Sequence, residues 1–269
     1  MSKGLLDPKV DFVFKNIFGS PNHPEILISF LNATLKAKKK IVNVDIKKTD
    51  IEKQYIEDKY SRLDVKATTS NDEIINIEIQ LKNENNMVKR SLYYLSKMYE
   101  EQLNEKEDYS KLVRTVCINI LNFKYLKTDN FHTGYRFKEI ESNEELTDIM
   151  EVHFIEIPKL QDSSDEKDML VAWTEFLKDP ESEKVRGLEL SIEEIRQAKD
   201  ELIRMSNDST QRELYDMRAN SLRDKMSELN AAERKGIEKG REEGREEGRK
   251  EEKIKIKKNM KLSGLDTNT

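Results

Sequence analysis

Asp64, Glu78 and Gln80 are residues whose types and spacing could do chemistry. They fall in two alternating stretches, residues 62–68 and 74–81, separated by the turn-forming Ser70, Asn71 and Asp72. Alternate side chains of a strand share a face. Ile75, Ile77, Ile79 and Leu81 therefore point one way, and Asn76, Glu78 and Gln80 the other. In the preceding stretch Leu63, Val65 and Ala67 share a face, which leaves Asp64 and Lys66 opposite. A hairpin turning about Asn71 sets Asp64 across from Glu78, with β-carbons about 5 Å apart. Two carboxylates so placed repel unless something compensates. A divalent cation is the natural compensation, since magnesium takes one or two carboxylates together with water and substrate phosphate. The alternative is an ordinary polar hairpin face in a chain with 53 acidic residues. Spacing alone does not choose between the two.

The elements that must hold these residues can be read on either side of them. Asp7 reads as an N-cap and Pro8 as the first residue of a short helix that Gly19 stops, with Val10, Phe14 and Ile17 in phase. A second helix begins near Pro24 and fades in the lysines from Lys36 to Lys40. Residues 41–46 alternate as a strand, and residues 49–60 are polar and ambiguous. A helix over 87–103 follows the candidate site, and 113–121, 135–140 and 150–157 read as further strands, the last ended by Pro158. Beyond Glu166 the pattern is helical. Met169, Leu170, Trp173, Phe176 and Leu177 form one face, and residues 190–230 carry a thinner apolar stripe. Residues 233–258 are almost wholly charged, with Gly236, Gly240, Gly244 and Gly248 at steps of four. Such a segment forms a solvated, marginal helix, because each interior Gly costs about 1 kcal/mol against Ala. The order implies an α/β core over 1–160, a helical region over 161–232 and a charged tail over 233–269.

Bulk properties set the bounds. The 269 residues suit one or two domains. Charged residues (38%) outnumber hydrophobic ones (36%), so part of the chain should lie outside the core. A formal net charge of -5 does not advertise a nucleic-acid binder, although steering depends on local patches. Lone Cys117 rules out an intrachain disulfide and fits a small buried side chain in a reducing compartment. The N-terminus lacks a signal-peptide apolar stretch, and no run suits a membrane helix. The expected location is the cytoplasm, with no membrane partner. His23, His132 and His153 have no zinc-ligand spacing with the cysteine, and no phosphate-binding Gly-rich loop of the nucleotide-hydrolase kind is present.

Several segments, in order, resemble the PD-(D/E)XK nuclease family transposases, relatives of the bacterial recombination-promoting nucleases. They are LDPKVDFVFKNIFG (6–19), ILISFLN (26–32), DKYSRLDVKA (58–67), IEIQ (77–80), KRSLYY (89–94) and HFIEIPK (153–159). The charged tail with Gly at every fourth position also recurs in that family. The resemblance implies a restriction-endonuclease-like α/β core, with a mixed central sheet flanked by helices, followed by an all-helical C-terminal arm. It implies DNA as partner and Mg2+ as cofactor, with Mn2+ as the alternative ion. Asp64, Glu78 and the carbonyl of Ile79 would hold the metal, and Gln80 would align the attacking water. The wider superfamily usually has lysine at that third position, and glutamine is a known variant. An amide can hold water by hydrogen bonds but brings no charge. Asp11 stands where many relatives place an extra acidic ligand, and is alternatively a solvated partner for Lys15 four residues on. Lys15, Lys89 and Arg90 are candidates for DNA contact, and Lys36, Lys38, Lys39 and Lys40 form a basic cluster that suits backbone contact or plain surface.

The implied function is a metal-dependent DNA endonuclease in transposition or recombination. One rival is a degenerate member that binds DNA or protein without cutting, a reading fed by Gln80. Another makes the helical arm the working part, as an assembly element of a homodimer. The fragments of heptad between residues 190 and 258 give it no continuous apolar seam. Residues 260–269 resemble the start of a small helical element.

Overall fold

Strand periodicity over 74–80 predicts one apolar and one polar face, and both faces turn out to be covered. A computed structural model of the chain describes residues 4–37, 39–47, 64–165 and 167–262. Its centre is a six-stranded sheet in the order β1-β2-β3-β4-β6-β5. The strands are β1 (Val44–Lys47), β2 (Val65–Thr69), β3 (Ile74–Gln80), β4 (Thr115–Leu121), β5 (His132–Lys138) and β6 (Glu145–Glu156). β1, β2 and β3 pair antiparallel, β3, β4 and β6 parallel, and β5 closes antiparallel on β6. The sheet is therefore mixed, and the parallel strands in its middle need cover on both faces. Ile75, Ile77, Ile79, Val116, Ile118 and Ile120 fill one face and are buried.

The hairpin between β2 and β3 has the register that the turn residues predict. Thr69 N–H donates to the Glu73 carbonyl (2.9 Å), Asp72 N–H donates to the Thr69 carbonyl (3.0 Å), and Asp72 adopts φ 60°. A three-residue loop ending in a left-handed residue is a common hairpin solution, and Asp tolerates that conformation. Val65 then faces Ile77, and Lys66 faces Asn76.

Helix α3 (Met87–Glu100) covers the second face. Met87 and Leu95 pack with Cys117, Leu121, Val152 and Phe154. Helices α1 (Asp11–Phe18), α2 (Pro24–Leu35) and α4 (Met169–Lys178) share an aromatic cluster. Phe18 meets Phe30 and Trp173 edge-on, and Trp173 Nε1 donates to Ser29 Oγ (3.1 Å). Gly19 ends α1 where a side chain has no room: a β-carbon there would lie 2.6 Å from the Lys15 carbonyl and 3.3 Å from Val65.

Helix α1 starts later than the Asp7–Pro8 signature suggests. Asp7 Oδ1 accepts from Lys9 N–H (2.9 Å), and its carbonyl accepts from Val10 N–H (3.1 Å), so it caps a turn and the helix begins at Asp11. β1 begins at Val44, and β6 starts at Glu145, five residues before the apolar run that marks it in sequence. Helix α5 (Glu183–Glu189) precedes α6 (Glu193–Asn207). Helices α4 to α6 belong with the sheet to one compact unit, Met1–Arg218, in which α6 packs on α1 and α2. Ala219–Thr269 forms a second unit. Helix α7 (Ser209–Leu262) carries the charged repeat, whose residues from Glu233 to Lys250 are exposed. The expected start of β2 at Arg62 and Leu63, the ambiguous stretch 49–60, Lys38 and residues 263–269 lie outside the described residues.

Candidate active site

The β2–β3 register, extended by one pair, sets Asp64 opposite Glu78 on the α3 face of the sheet. Glu78 is 1% exposed. Asp64 Oδ2 accepts a hydrogen bond of 2.6 Å from Ile79 N–H. Gln80 gives its carbonyl to Asn122 N–H on the β4 side (2.9 Å). Successive peptide groups of a strand point to opposite sides, so both the N–H and the carbonyl of Ile79 face Asp64. Gln80, half-buried, shares the face of Glu78 by alternation.

Arg90 reaches in from α3. Its Nη2 donates to Glu78 Oε2 (3.1 Å), and its guanidinium carbon lies 5.4 Å from the centre of the Tyr94 ring. Asn76, one alternate position before Glu78, donates to Glu78 Oε1 through Nδ2 (3.4 Å). Alternation places Asn76 on the face of Glu78 in the sequence but assigns it no role, and Tyr94 is given none either, although the four-residue step from Arg90 is a signal that could have found it.

Electrostatics match this crowding. Burial raises the Asp64 carboxyl, the nearby Glu78 and Asp11 charges add to this, and the Ile79 amide and Arg90 oppose it, leaving it at about 8. Burial also raises Glu78, against the pull of Arg90. Asp11 is thus close enough to be felt at Asp64. Its own oxygens accept from Phe12 N–H (2.7 Å) and Arg218 Nη1 (3.1 Å). Lys15 and Lys89 are exposed on α1 and α3. Of the basic cluster, Lys36, Lys39 and Lys40 are exposed, and Lys36 pairs with Asp168 (3.4 Å).

No cluster of three His, Cys, Asp or Glu side chains is arranged to enclose a metal ion among the described residues. A magnesium ion does not need such a cage. Two carboxylates and a main-chain carbonyl on one side are a hard-oxygen donor set that leaves room for water and phosphate. Asp64, Glu78 and the Ile79 carbonyl are oxygen groups of that kind on one part of the sheet, and Arg90 already pairs with Glu78.

A separate charged network lies at the other end of the sheet. Arg114 bridges Glu73 and Glu151, Arg136 Nε donates to Glu151 (3.0 Å), and His153 Nε2 meets Glu151 Oε1 (2.7 Å). The His132 and His153 rings stack at 5.1 Å. Nothing in the sequence pattern joined these residues.

Among the described residues no helix is long and apolar enough to cross a membrane. No curated protein and no solved structure matches the chain. A family model does match, over residues 8–232, and its span takes in the hairpin, α3 and the helices that pack behind them. With that match the chain belongs to the PD-(D/E)XK nuclease family transposases, and a nuclease-like role linked to transposition comes with it.

Proposed function

We propose that the protein is a magnesium-dependent DNA endonuclease, with Asp64, Glu78 and Gln80 as its working side chains. The observation that carries this reading is the half-buried Asp64 carboxylate, one residue before β2, set across from buried Glu78 of β3 and fixed to the main-chain amide of Ile79. Family membership supports DNA as the substrate.

Asp64, Glu78 and the Ile79 carbonyl would hold the ion, with Mn2+ as the alternative. When bound, a divalent ion supplies positive charge that makes a water molecule more acidic and offsets charge building on the scissile phosphate. Asp64 must be ionised to serve as a ligand, so ion binding is coupled to loss of its proton. The Gln80 amide orients the attacking water by hydrogen bonding and carries no charge. Asp11 sits near enough to tune Asp64 and could add an outer oxygen. Lys15 and Lys89 would hold the DNA backbone from the protein surface.

Incubating supercoiled plasmid with purified protein tests this. Nicking in magnesium that EDTA stops supports it. DNA binding at low salt with no nicking in magnesium or manganese favours a domain that binds without cutting.

A further inference from the structure

Hydrolysis of a phosphodiester builds negative charge on the phosphoryl oxygens, and a site without a cationic side chain leaves all of that charge to the metal. Gln80 cannot help, since its amide is neutral. A cation does reach the same face from another element. The Arg90 guanidinium donates one hydrogen bond to Glu78 through Nη2, and the Tyr94 ring lies 5.4 Å from its carbon. Its Nε–H is buried and finds no acceptor among the described residues. A buried donor left unpaired costs free energy that a ligand bringing an acceptor would recover. A guanidinium offers two parallel donors that match phosphate geometry.

Resting on the proposed nuclease reading, we propose that Arg90 is the phosphate-facing cation of this site, supplying from α3 the charge that Gln80 lacks. Glu78 and Tyr94 hold the guanidinium in place before DNA arrives, and its unpaired Nε–H then meets a non-bridging phosphate oxygen. The labour is divided: Gln80 orients water, and Arg90 carries charge.

The test uses the full chain with Arg90→Gln, Arg90→Lys and the double variant Arg90→Gln/Gln80→Lys. Arg90→Gln keeps a donor for Glu78, so melting temperature checks that each variant folds. Cutting should fall about 100-fold in Arg90→Gln and less than about 10-fold in Arg90→Lys, the size expected for loss of one charge-stabilising donor. Gln80→Lys should restore at least about 10-fold in the Arg90→Gln background, which repair of a purely structural role would not do. A second readout needs no cutting. In an Asp64→Asn background with magnesium, Arg90→Gln should weaken duplex binding and lower the salt dependence of log Kd by about one contact. Wild-type cutting by Arg90→Gln, or an unchanged binding slope, overturns the proposal. An inert wild type with the slope still reduced would sink the nuclease reading while leaving the Arg90 phosphate contact standing.

Discussion

The main-chain N–H of Ile79 donates to Oδ2 of Asp64 across 2.6 Å, tying the residue just before β2 to the peptide between Glu78 and Gln80. This bond fixes the Asp64 carboxylate beside Glu78 and makes the site part of the sheet rather than of a loop. It has a cost in stability, because a half-buried acid and a buried one sit together with Arg90 as the cation paired to Glu78.

Asp64→Asn should therefore stabilise the metal-free protein. The folded carboxyl titrates at about 8, above its ordinary 3.8. A folded state that holds its proton longer loses stability as pH rises between those two values. In EDTA, the melting temperature of Asp64→Asn should exceed that of the wild type by a growing margin from pH 5 to pH 8. A margin that shrinks over that range contradicts the raised Asp64 carboxyl.

Gln80 variants probe the third position. Gln80→Ala should slow cutting by about 10-fold, less than loss of a metal ligand, because it removes water alignment alone. Gln80→Lys in an otherwise unchanged chain places a second cation beside Arg90. It should maintain or raise the rate if the phosphate takes up the charge, and weaken magnesium affinity if the ion feels it. Magnesium titration of the cutting rate separates the two.

Glu151 belongs to a network remote from this chemistry. Glu151→Gln should cost about 2 kcal/mol at neutral pH, because it weakens charged hydrogen bonds to Arg114, Arg136 and His153 while Arg114 keeps Glu73 as its other partner. Burial opposes ionisation of Glu151, but His153, Arg114 and Arg136 outweigh it and lower the carboxyl to about 2. Its contribution is present above the ordinary 4.5 and fades as pH falls toward 2, so the difference between wild type and variant should narrow in acid. Denaturation at pH 7 and pH 3 checks this. Cutting per folded molecule should not change.

How much of this was legible in sequence varies by element. The turn at Ser70, Asn71 and Asp72 set the register, and period-two alternation then put Asp64 and Glu78 on one face. The same alternation suggested a polar surface there. In fact Asn76 and Glu78 are buried under α3, because parallel pairing to β4 places β3 in the interior of the sheet. Asp7 carried an N-cap signal that local hydrogen bonding used for a turn instead. The ion pairs joining Glu73, Arg114 and Glu151 depend on strand order, which no local pattern encodes.

The charged repeat makes a prediction about what is dispensable. Its residues from Glu233 to Lys250 are exposed, so little apolar surface is lost with them. Ending the chain at residue 232 should shift the melting temperature by no more than about 2 °C. A larger drop would mean that the segment packs. Light scattering on the same truncation tells whether it joins two copies, since loss of a dimer contact would halve the mass.

The central claim is most directly tested by plasmid cleavage in magnesium, comparing the wild type with Asp64→Ala prepared identically. Removing an oxygen ligand should lower ion occupancy and abolish cutting, a loss of at least about 1000-fold, with DNA binding retained. Cutting that persists undiminished in Asp64→Ala would contradict the assignment of the site.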